Sequence, residues 1–259
     1  MTTAPSDPVL HARGVSVGYG RPPRRGRVVL SGVDAGLSAG ELTCLVGPNG
    51  SGKSTLLRSL VRSQPLMSGE VLVGGRSIHQ MSAAELARQV AVVLTDRVAV
   101  GALLAWHVVA LGRYPHTGWS GHLDDHDRAV VDEALAAAGA TSLAGRSVSE
   151  MSDGERQRIM IARALAQEPR VLLLDEPSAF LDVRARLELT NLLRSLTQEH
   201  GLAVLMSTHD VEHMLRHADN VWLVTEDGRL EIGTPAELGI DVGTADDDPL
   251  RALVDRLAR

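Results

Sequence analysis

The strongest constraint on the fold of this chain is a glycine-rich loop between a short apolar run and a helical pattern. The run Leu42–Val46 has the length and composition of a buried strand, and residues 55–61 repeat leucine and valine at helical spacing. The loop fits the pattern G-x-x-x-x-G-K-[ST], in which backbone N–H groups surround phosphates and a lysine reaches the β- and γ-phosphates. This order of elements predicts a phosphate-binding loop. Its predicted ligand-binding residues are Gly47, Pro48, Asn49, Gly50, Ser51, Gly52, Lys53, Ser54 and Thr55.

Lys53 is the only lysine of the chain, whereas every other residue among its 26 lysines and arginines is an arginine. A lysine ammonium acts on phosphate as a compact point charge on a flexible stem, while a guanidinium is a planar fork. A drift of composition towards arginine explains the missing lysines, but it does not explain where the remaining one lies. Lys53 is therefore predicted to take part in catalysis through phosphate.

Two neighbouring carboxylates follow the apolar run at residues 171–174. Ligands bind at the carboxyl ends of strands in open α/β sheets, so Asp175 is predicted to lie beside the phosphate loop. Asp175 and the Ser54 hydroxyl are predicted to hold Mg²⁺, and Glu176 is predicted to polarise an attacking water. An acidic pair at a strand end is common, so this motif alone has low specificity.

Buried apolar runs alternate with helical patterns along the chain, which predicts a largely parallel α/β sheet. Residues 9–17 and 28–33 alternate at period two and are predicted to form antiparallel strands before it. Further strands are predicted at 42–46, 70–78, 90–94, 171–174, 203–207 and 221–225. Helices are predicted at 55–61, 105–112, 124–138, 153–167, 184–199, 211–218 and 250–257. The sequence shows no internal repeat, so one nucleotide-binding domain is expected.

Charge and composition exclude several classes of function. A net charge of −6 and an aromatic content of 2% argue against a basic nucleic-acid surface and against base stacking, so no nucleic-acid partner is expected. The longest weakly polar stretch, residues 98–111, is too short to cross a bilayer. The N-terminus lacks the basic and apolar regions of a secretory signal. We therefore expect a cytoplasmic protein that reaches a membrane only through a partner.

Three further segments complete a set of motifs: Ser-Glu-Met-Ser-Asp-Gly-Glu-Arg-Gln-Arg at 149–158, Ser-Ala-Phe-Leu-Asp at 178–182 and Ser-Thr-His-Asp at 207–210. With the phosphate loop and the carboxylate pair, and in this order, they resemble the ATP-binding-cassette (ABC) ATPase family over residues 9–240. The resemblance implies an α/β P-loop NTPase fold with a mostly parallel core sheet, an N-terminal antiparallel β-subdomain and an inserted α-helical subdomain. It implies one domain spanning 1–259, with a core at about 9–95 and 165–240, a helical subdomain at about 96–164 and a tail at 241–259.

The resemblance also implies roles for particular residues. It assigns to the ATP site Ser152 and Gly154 of the signature segment, Asp182 of the D-loop, the switch histidine His209, and Tyr19, which would stack on adenine. His209 would contact the γ-phosphate and take part in catalysis. Nucleotide domains of this family pair head to tail, so a second copy of the chain is the expected partner, and ATP and Mg²⁺ are the expected cofactors.

The chain departs from the commonest family signature, Leu-Ser-Gly-Gly-Gln, at Met151, Asp153 and Glu155. The spacing Ser152-x-x-Glu155 also predicts a capping box, in which each side chain satisfies a backbone donor at a helix start. The two interpretations are compatible, because a helix N-terminus with free N–H groups suits a phosphate. A second departure is Thr95, at a position where the family normally has a glutamine. Its shorter hydroxyl side chain is predicted to serve as a further Mg²⁺ ligand.

Residues 111–116, Leu-Gly-Arg-Tyr-Pro-His, resemble ATPases of importers for iron–siderophore, haem and cobalamin. This implies an ATP-hydrolysing subunit on the inner face of the cell membrane, attached to separate integral membrane permease subunits. A periplasmic or lipid-anchored substrate-binding protein would act indirectly. One alternative is a soluble ABC ATPase that acts on nucleic acid or ribosomes, and another is an ATP-sensing module without hydrolysis. The acidic charge, the single cassette and the lack of a long coiled-coil insertion argue against the first alternative.

Overall fold

Strands and helices alternate through the part of the chain that the computed structural model describes, which is residues 8–20, 26–95, 101–118 and 121–240. The strands are β1 (Leu10–Tyr19), β2 (Arg27–Leu37), β3 (Leu42–Val46), β4 (Ser68–Val73), β5 (Arg76–Ser77), β6 (Val90–Val93), β7 (Val171–Asp175), β8 (Ala203–Ser207), β9 (Asn220–Val224) and β10 (Leu230–Gly233). The α-helices are α1 (Lys53–Leu60), α2 (Ala83–Ala87), α3 (Ala105–Ala110), α4 (Tyr114–Thr117), α5 (Asp125–Ala137), α6 (Asp153–Leu165), α7 (Val183–His200) and α8 (Val211–Leu215). Most bounds lie close to the predicted ones, and the helix predicted at 250–257 lies outside the described residues.

The central sheet has the strand order β10-β9-β3-β8-β7-β6. All its neighbouring pairs are parallel except β10 and β9, which are antiparallel. Every residue of β3, β7 and β8 is buried. Alternate side chains point to opposite faces, so Leu45 and Leu173 belong to one apolar cluster while Cys44 and Leu172 belong to another. Because β3, β8 and β7 run parallel and side by side, the residues that follow them meet at one edge of the sheet.

The second sheet is antiparallel, with the order β2-β1-β4-β5, as the period-two pattern of its first strands predicts. The prediction of one strand over residues 70–78 is wrong. The chain reverses at Gly74 and Gly75, so that Val73 pairs with Arg76 across a hairpin. Apolar residues lie on both sides of this turn, with residues 71–73 before it and Ile78 after it, so the hydrophobic pattern alone does not show the reversal. The sequence patterns also do not predict the short elements α2, α4 and β10.

Helices α3, α5 and α6 pack around an apolar cluster of their own, which includes Val108, Val131, Leu135 and Ile159. This separate cluster supports the division into a core and an inserted helical subdomain, a division that stays a prediction. The tail at 241–259 lies outside the described residues. Within the described ranges, no helix combines the length and the apolar character needed to cross a bilayer.

A buried arginine connects several elements of the helical region through hydrogen bonds. Arg113 is 2% exposed and lies in the 3₁₀ turn that follows α3. Its Nε donates to Asp127 at 2.8 Å, and its Nη1 donates to Glu168 at 2.6 Å and to the Ala166 carbonyl at 2.9 Å. A buried charge is tolerated when it is paired and hydrogen-bonded, so these contacts fix the turn against α5 and the end of α6.

We predict that Arg113→Ala lowers the free energy of unfolding by about 3 kcal/mol, because it leaves Asp127 buried without its cation. Guanidinium denaturation followed by circular dichroism measures this loss. The control is Arg229→Ala, which removes a side chain that is 80% exposed and pairs with Asp227. That variant is expected to unfold at nearly the same guanidinium concentration as the wild type, because an exposed ion pair adds little to stability. Equal losses in the two variants would contradict a structural role of the buried pair.

Candidate active site

The phosphate loop leads from the carboxyl end of β3 directly into α1, which begins at Lys53. Gly52 precedes the helix with a φ of 101°, a conformation that glycine adopts without a Cβ clash. The N–H groups of a first helical turn have no intrahelical acceptor, and the helix dipole is positive at this end. The geometry of the loop is therefore that of an anion-binding site, as its sequence pattern predicts.

The Lys53 ammonium lies within this loop. The residue is 5% exposed, and its Nζ donates to the carbonyl oxygens of Gly47 at 2.8 Å and Pro48 at 2.9 Å. Burial lowers the pKa of Lys53 from its usual value, while the charges of Glu176 and Asp175 oppose that shift. A phosphate would meet a lysine that the loop already holds in place.

Asp175 ends β7 and is 2% exposed. Its Oδ1 accepts hydrogen bonds from the Ser54 hydroxyl at 3.0 Å and from the Ser207 hydroxyl at 2.8 Å. The predicted approach of Asp175 to the start of α1 is therefore present. The Ser54 hydroxyl and the Asp175 carboxylate form a convergent pair of oxygen donors, which is the ligand chemistry that Mg²⁺ prefers.

Glu176, the predicted base, has a strained backbone. Its φ is 49°, in the left-handed region that residues with a Cβ seldom adopt. Its amide donates to the Ser207 hydroxyl at 2.9 Å, and its carboxylate lies 2.5 Å from Nε2 of His209. A cavity of about 360 Å³ lies against Glu176 and His209. The predicted base and the predicted switch histidine are thus in direct contact.

Two further predicted residues lie at the border of this cluster. The Thr95 hydroxyl donates to the backbone carbonyl of Asp175 at 2.7 Å, which leaves its lone pairs available to a cation. Tyr19 is 58% exposed, and its hydroxyl is 2.8 Å from that of Thr55 at the start of α1. The metal role of Thr95 and the adenine contact of Tyr19 stay predictions.

The remaining predicted residues form a second group. Ser152 caps α6 with the predicted capping box: its hydroxyl accepts from the Glu155 amide at 3.2 Å, and Glu155 accepts from the Ser152 amide at 2.9 Å. Asp182 caps α7 and accepts from an amide of its first turn at 2.8 Å. Ser152, Gly154 and Asp182 line a cavity of about 550 Å³, whereas the cavity beside Glu176 has different walls.

The family profile described as ABC transporter matches residues 30–179, which is more than half of the chain. The chain belongs to the ABC transporter family. The match includes the phosphate loop, the carboxylates Asp175 and Glu176 at the end of β7, and the signature segment. Among the predicted catalytic residues, His209 lies beyond it.

Curated relatives of this ABC transporter protein are named as ABC transporter or import ATP-binding proteins. An uncharacterized ABC transporter ATP-binding protein, MJ0873 of Methanocaldococcus jannaschii, is 44% identical over 88% of this chain and 77% of its own length. The iron(3+)-hydroxamate import ATP-binding protein FhuC of Bacillus subtilis is 35% identical over 88% of this chain and 83% of its own. The cobalamin import ATP-binding protein BtuD of Halobacterium salinarum is 41% identical over 81% of this chain, which spans 52% of that protein.

Solved ABC structures share the fold. CbiO1 from Clostridium perfringens, described as part of the ABC transporter complex cbiONQ, has a TM-score of 0.79 and 27% identity, covering 98% of this chain and 97% of its own. The cassette MJ0796, in a dimeric post-hydrolysis state bound to ADP and Pi, has a TM-score of 0.72 and 25% identity over 87% of this chain and 98% of its own. The predicted ABC ATPase fold is confirmed, and the protein is an ATP-binding ABC transporter ATPase.

The sequence patterns do not identify Ser207 as a site residue of this ABC ATPase, although its hydroxyl contacts both carboxylate residues. It accepts from the Glu176 amide and donates to Asp175, and its strand β8 pairs with β7 so that Ser207 lies opposite Asp175. The available signal is a small polar residue at the end of a buried strand. That signal becomes useful only when the strand order is known.

We predict that Lys53→Ala weakens ATP binding by about tenfold or more, because hydrogen bonds to charged groups contribute about 1.5–3 kcal/mol. Lys53→Arg keeps the charge, but its planar fork does not reproduce an ammonium that meets two loop carbonyls, so it should also lose turnover. Equilibrium ATP titration and phosphate release measure the two effects. Arg229→Lys, the reverse exchange at an exposed position, is the control. Full turnover by Lys53→Arg would show that the positive charge alone is sufficient.

Proposed function

We propose that this ABC ATPase is the ATP-hydrolysing subunit of an importer, in which ATP binding and hydrolysis drive uptake through separate membrane permease subunits. The observation that carries the proposal is the cluster of Lys53, Asp175, Glu176 and His209 at one edge of the sheet. The Ser152 helix start, the second candidate contact for phosphate, lines a different cavity. We propose that these two groups of residues are the two parts of an ATP site, on two surfaces of the chain.

In the proposed reaction a water attacks the γ-phosphorus of ATP and the bond to the ADP oxygen breaks. The Glu176 carboxylate accepts the proton of that water, a role in which a general base typically contributes 10²–10⁴-fold. His209 contacts this carboxylate. In the proposed reaction His209 contacts the γ-phosphate of bound ATP. Lys53 exchanges its two loop carbonyls for phosphate oxygens and stabilises the charge that develops there.

The oxygen donors at the end of β7 fit Mg²⁺. The Ser54 hydroxyl and the Asp175 carboxylate would hold the ion, with the Thr95 hydroxyl as a third candidate. Both hydroxyls lie within hydrogen-bond distance of Asp175. When bound, Mg²⁺ neutralises part of the phosphate charge. The Ser54 hydroxyl donates directly to the Asp175 carboxylate at 3.0 Å, whereas Thr95 donates to the backbone carbonyl of Asp175 at 2.7 Å, so Ser54 and Asp175 are the two members of this set that already contact each other.

The second surface supports a head-to-tail dimer of this chain. Ser152 and Gly154 lie at the start of α6, where free N–H groups favour an anion, and Asp182 lies at the neighbouring start of α7. In the proposed dimer these residues of one copy meet the ATP held by the phosphate loop of the other. ATP then favours the closed dimer because its γ-phosphate contacts both copies, and hydrolysis removes that preference.

The proposed substrate class is an iron–siderophore, haem or cobalamin-like compound. It is supported by the run at 111–116 and by relatives named for iron(3+)-hydroxamate import and for cobalamin import. The proposed partners are integral membrane permease subunits and, indirectly, a periplasmic or lipid-anchored substrate-binding protein. The chain would lie on the inner face of the membrane. Leu111 and Tyr114 are 50% and 74% exposed in this run and are the proposed permease contacts.

We predict that Glu176→Gln lowers ATP turnover by about 100-fold or more while ATP binding is retained, because the amide cannot accept the proton of the attacking water. The variant should accumulate as a dimer in the presence of ATP, which size-exclusion chromatography with light scattering measures. Glu199→Gln, on the exposed end of α7, is the matched control. Normal turnover in Glu176→Gln would exclude Glu176 as the base, and an ATP-bound monomer would contradict the composite site.

We predict that an integral membrane protein copurifies with the tagged full chain from detergent-solubilised membranes of its own organism. Its amount should be comparable to that of the tagged chain. Replacing Leu111 and Tyr114 together by serine should reduce this capture without changing ATP affinity, since both side chains are exposed and distant in sequence from the phosphate loop. Quantitative mass spectrometry measures the captured proteins. Retention of ribosomes or nucleic acid, with ATPase activity stimulated by nucleic acid, would contradict the importer proposal and favour the soluble alternative.

A further inference from the structure

The signature segment of this chain carries two carboxylates, Asp153 and Glu155, where the commonest family signature has glycine and glutamine. In the proposed dimer this segment approaches the γ-phosphate of ATP, which is itself an anion. A fixed negative charge at such a contact opposes binding unless a cation compensates it. At Glu155 the structure supplies such a cation, Arg146.

Glu155 is held by donors on both of its carboxylate oxygens. Oε2 accepts from the Ser152 amide at 2.9 Å and from the Ser152 hydroxyl at 3.1 Å, and Oε1 accepts from Nη1 of Arg146 at 2.6 Å. The Ser152 amide first, and then the Arg146 guanidinium, hold the pKa of Glu155 below its usual range. Glu155 is therefore ionised at neutral pH and paired with Arg146.

The backbone of Arg146 is fixed to the helical region. Its carbonyl accepts from the Ala105 amide at the start of α3 at 2.9 Å, and its own amide donates to the Leu143 carbonyl at 2.9 Å. Its Nη2 also reaches the Glu150 carbonyl at 3.3 Å. The guanidinium is thus held over the start of α6 by contacts from both ends of the residue.

We infer that Arg146 is a positioning residue of the ATP site, which neutralises Glu155 and holds it so that the Ser152 hydroxyl can turn towards phosphate. The inference rests on the proposed composite site. The Ser152 hydroxyl donates to Glu155 at 3.1 Å, so contact with phosphate requires it to exchange one acceptor for another. Arg146 keeps the carboxylate satisfied after that exchange, since Oε1 retains its partner.

A second capping box in the chain provides a matched comparison. Ser82 and Glu85 form the same reciprocal pair at the start of α2, and Arg76 lies 3.6 Å from Glu85. The side chains of Arg76 and Glu85 are 58% and 48% exposed, against 45% and 32% for Arg146 and Glu155. Exposed pairs of this kind contribute little to folding, so Arg146→Ala and Arg76→Ala should both fold normally.

The test measures the KM for ATP and the kcat of hydrolysis for Arg146→Ala, Arg146→Lys and Arg76→Ala, with Arg146→Ala repeated in a Glu155→Gln background. Arg146→Ala is expected to raise KM by about tenfold with a much smaller change in kcat, as for an uncompensated charge near a phosphate. Arg146→Lys should restore most of the affinity. In the Glu155→Gln background, Arg146→Ala should change KM by less than about twofold, because no charge is left to neutralise.

The same variants, each combined with Glu176→Gln, show directly whether Arg146 acts on ATP-driven dimer closure. Arg146→Ala should require about tenfold more ATP for half-maximal dimer formation, and Arg76→Ala should not. Equal behaviour of the two variants, or an Arg146→Ala effect of full size in the Glu155→Gln background, would overturn the inference while leaving the proposed function intact. A wild-type chain that neither hydrolyses ATP nor dimerises would overturn both.

Discussion

One buried oxygen, Oδ1 of Asp175, joins the three elements on which the ATP site depends. It accepts from Ser54 at the start of α1 and from Ser207 at the end of β8, while Asp175 itself ends β7. A carboxylate that is 2% exposed requires such donors, because burial without them is costly. Ser54 follows Lys53 directly, and Ser207 also holds the amide of Glu176. The positions of the phosphate loop and of the proposed base are therefore set by the same carboxylate.

The sequence predicts those parts of this arrangement whose information is local. The phosphate loop, the strand before Asp175 and the capping box at Ser152 follow from patterns of a few residues, and the structure has each of them. The positive φ of Glu176 and its hydrogen bond to Ser207 were not predictable, because they depend on β7 and β8 being neighbours. The pairing of Arg146 with Glu155 depends in the same way on how the loop before α6 folds back.

The run at 111–116, which resembles importer ATPases, combines two kinds of residue. Gly112 packs so closely on α6 that a Cβ there would lie 2.2 Å from the carbonyl oxygen of Arg163, and Arg113 is the buried cation of the helical region. Leu111 and Tyr114 instead extend into solvent. Some residues of this run are therefore explained by packing within the chain, whereas the exposed Leu111 and Tyr114 are the ones that support a contact with a permease.

The hydrogen bonds that Lys53 makes to its own loop influence which anions the phosphate loop binds. Its ammonium already has two carbonyl acceptors at 2.8 and 2.9 Å, so it is not a freely hydrated cation. An anion gains from entering only if it replaces both bonds and also engages the free N–H groups at the start of α1. Chloride or a single phosphate offers few such contacts, whereas a nucleoside triphosphate offers many along its chain. The loop is thus expected to favour ligands that present several oxygens together. Such a preference would allow ATP to bind in competition with the abundant small anions of a cell.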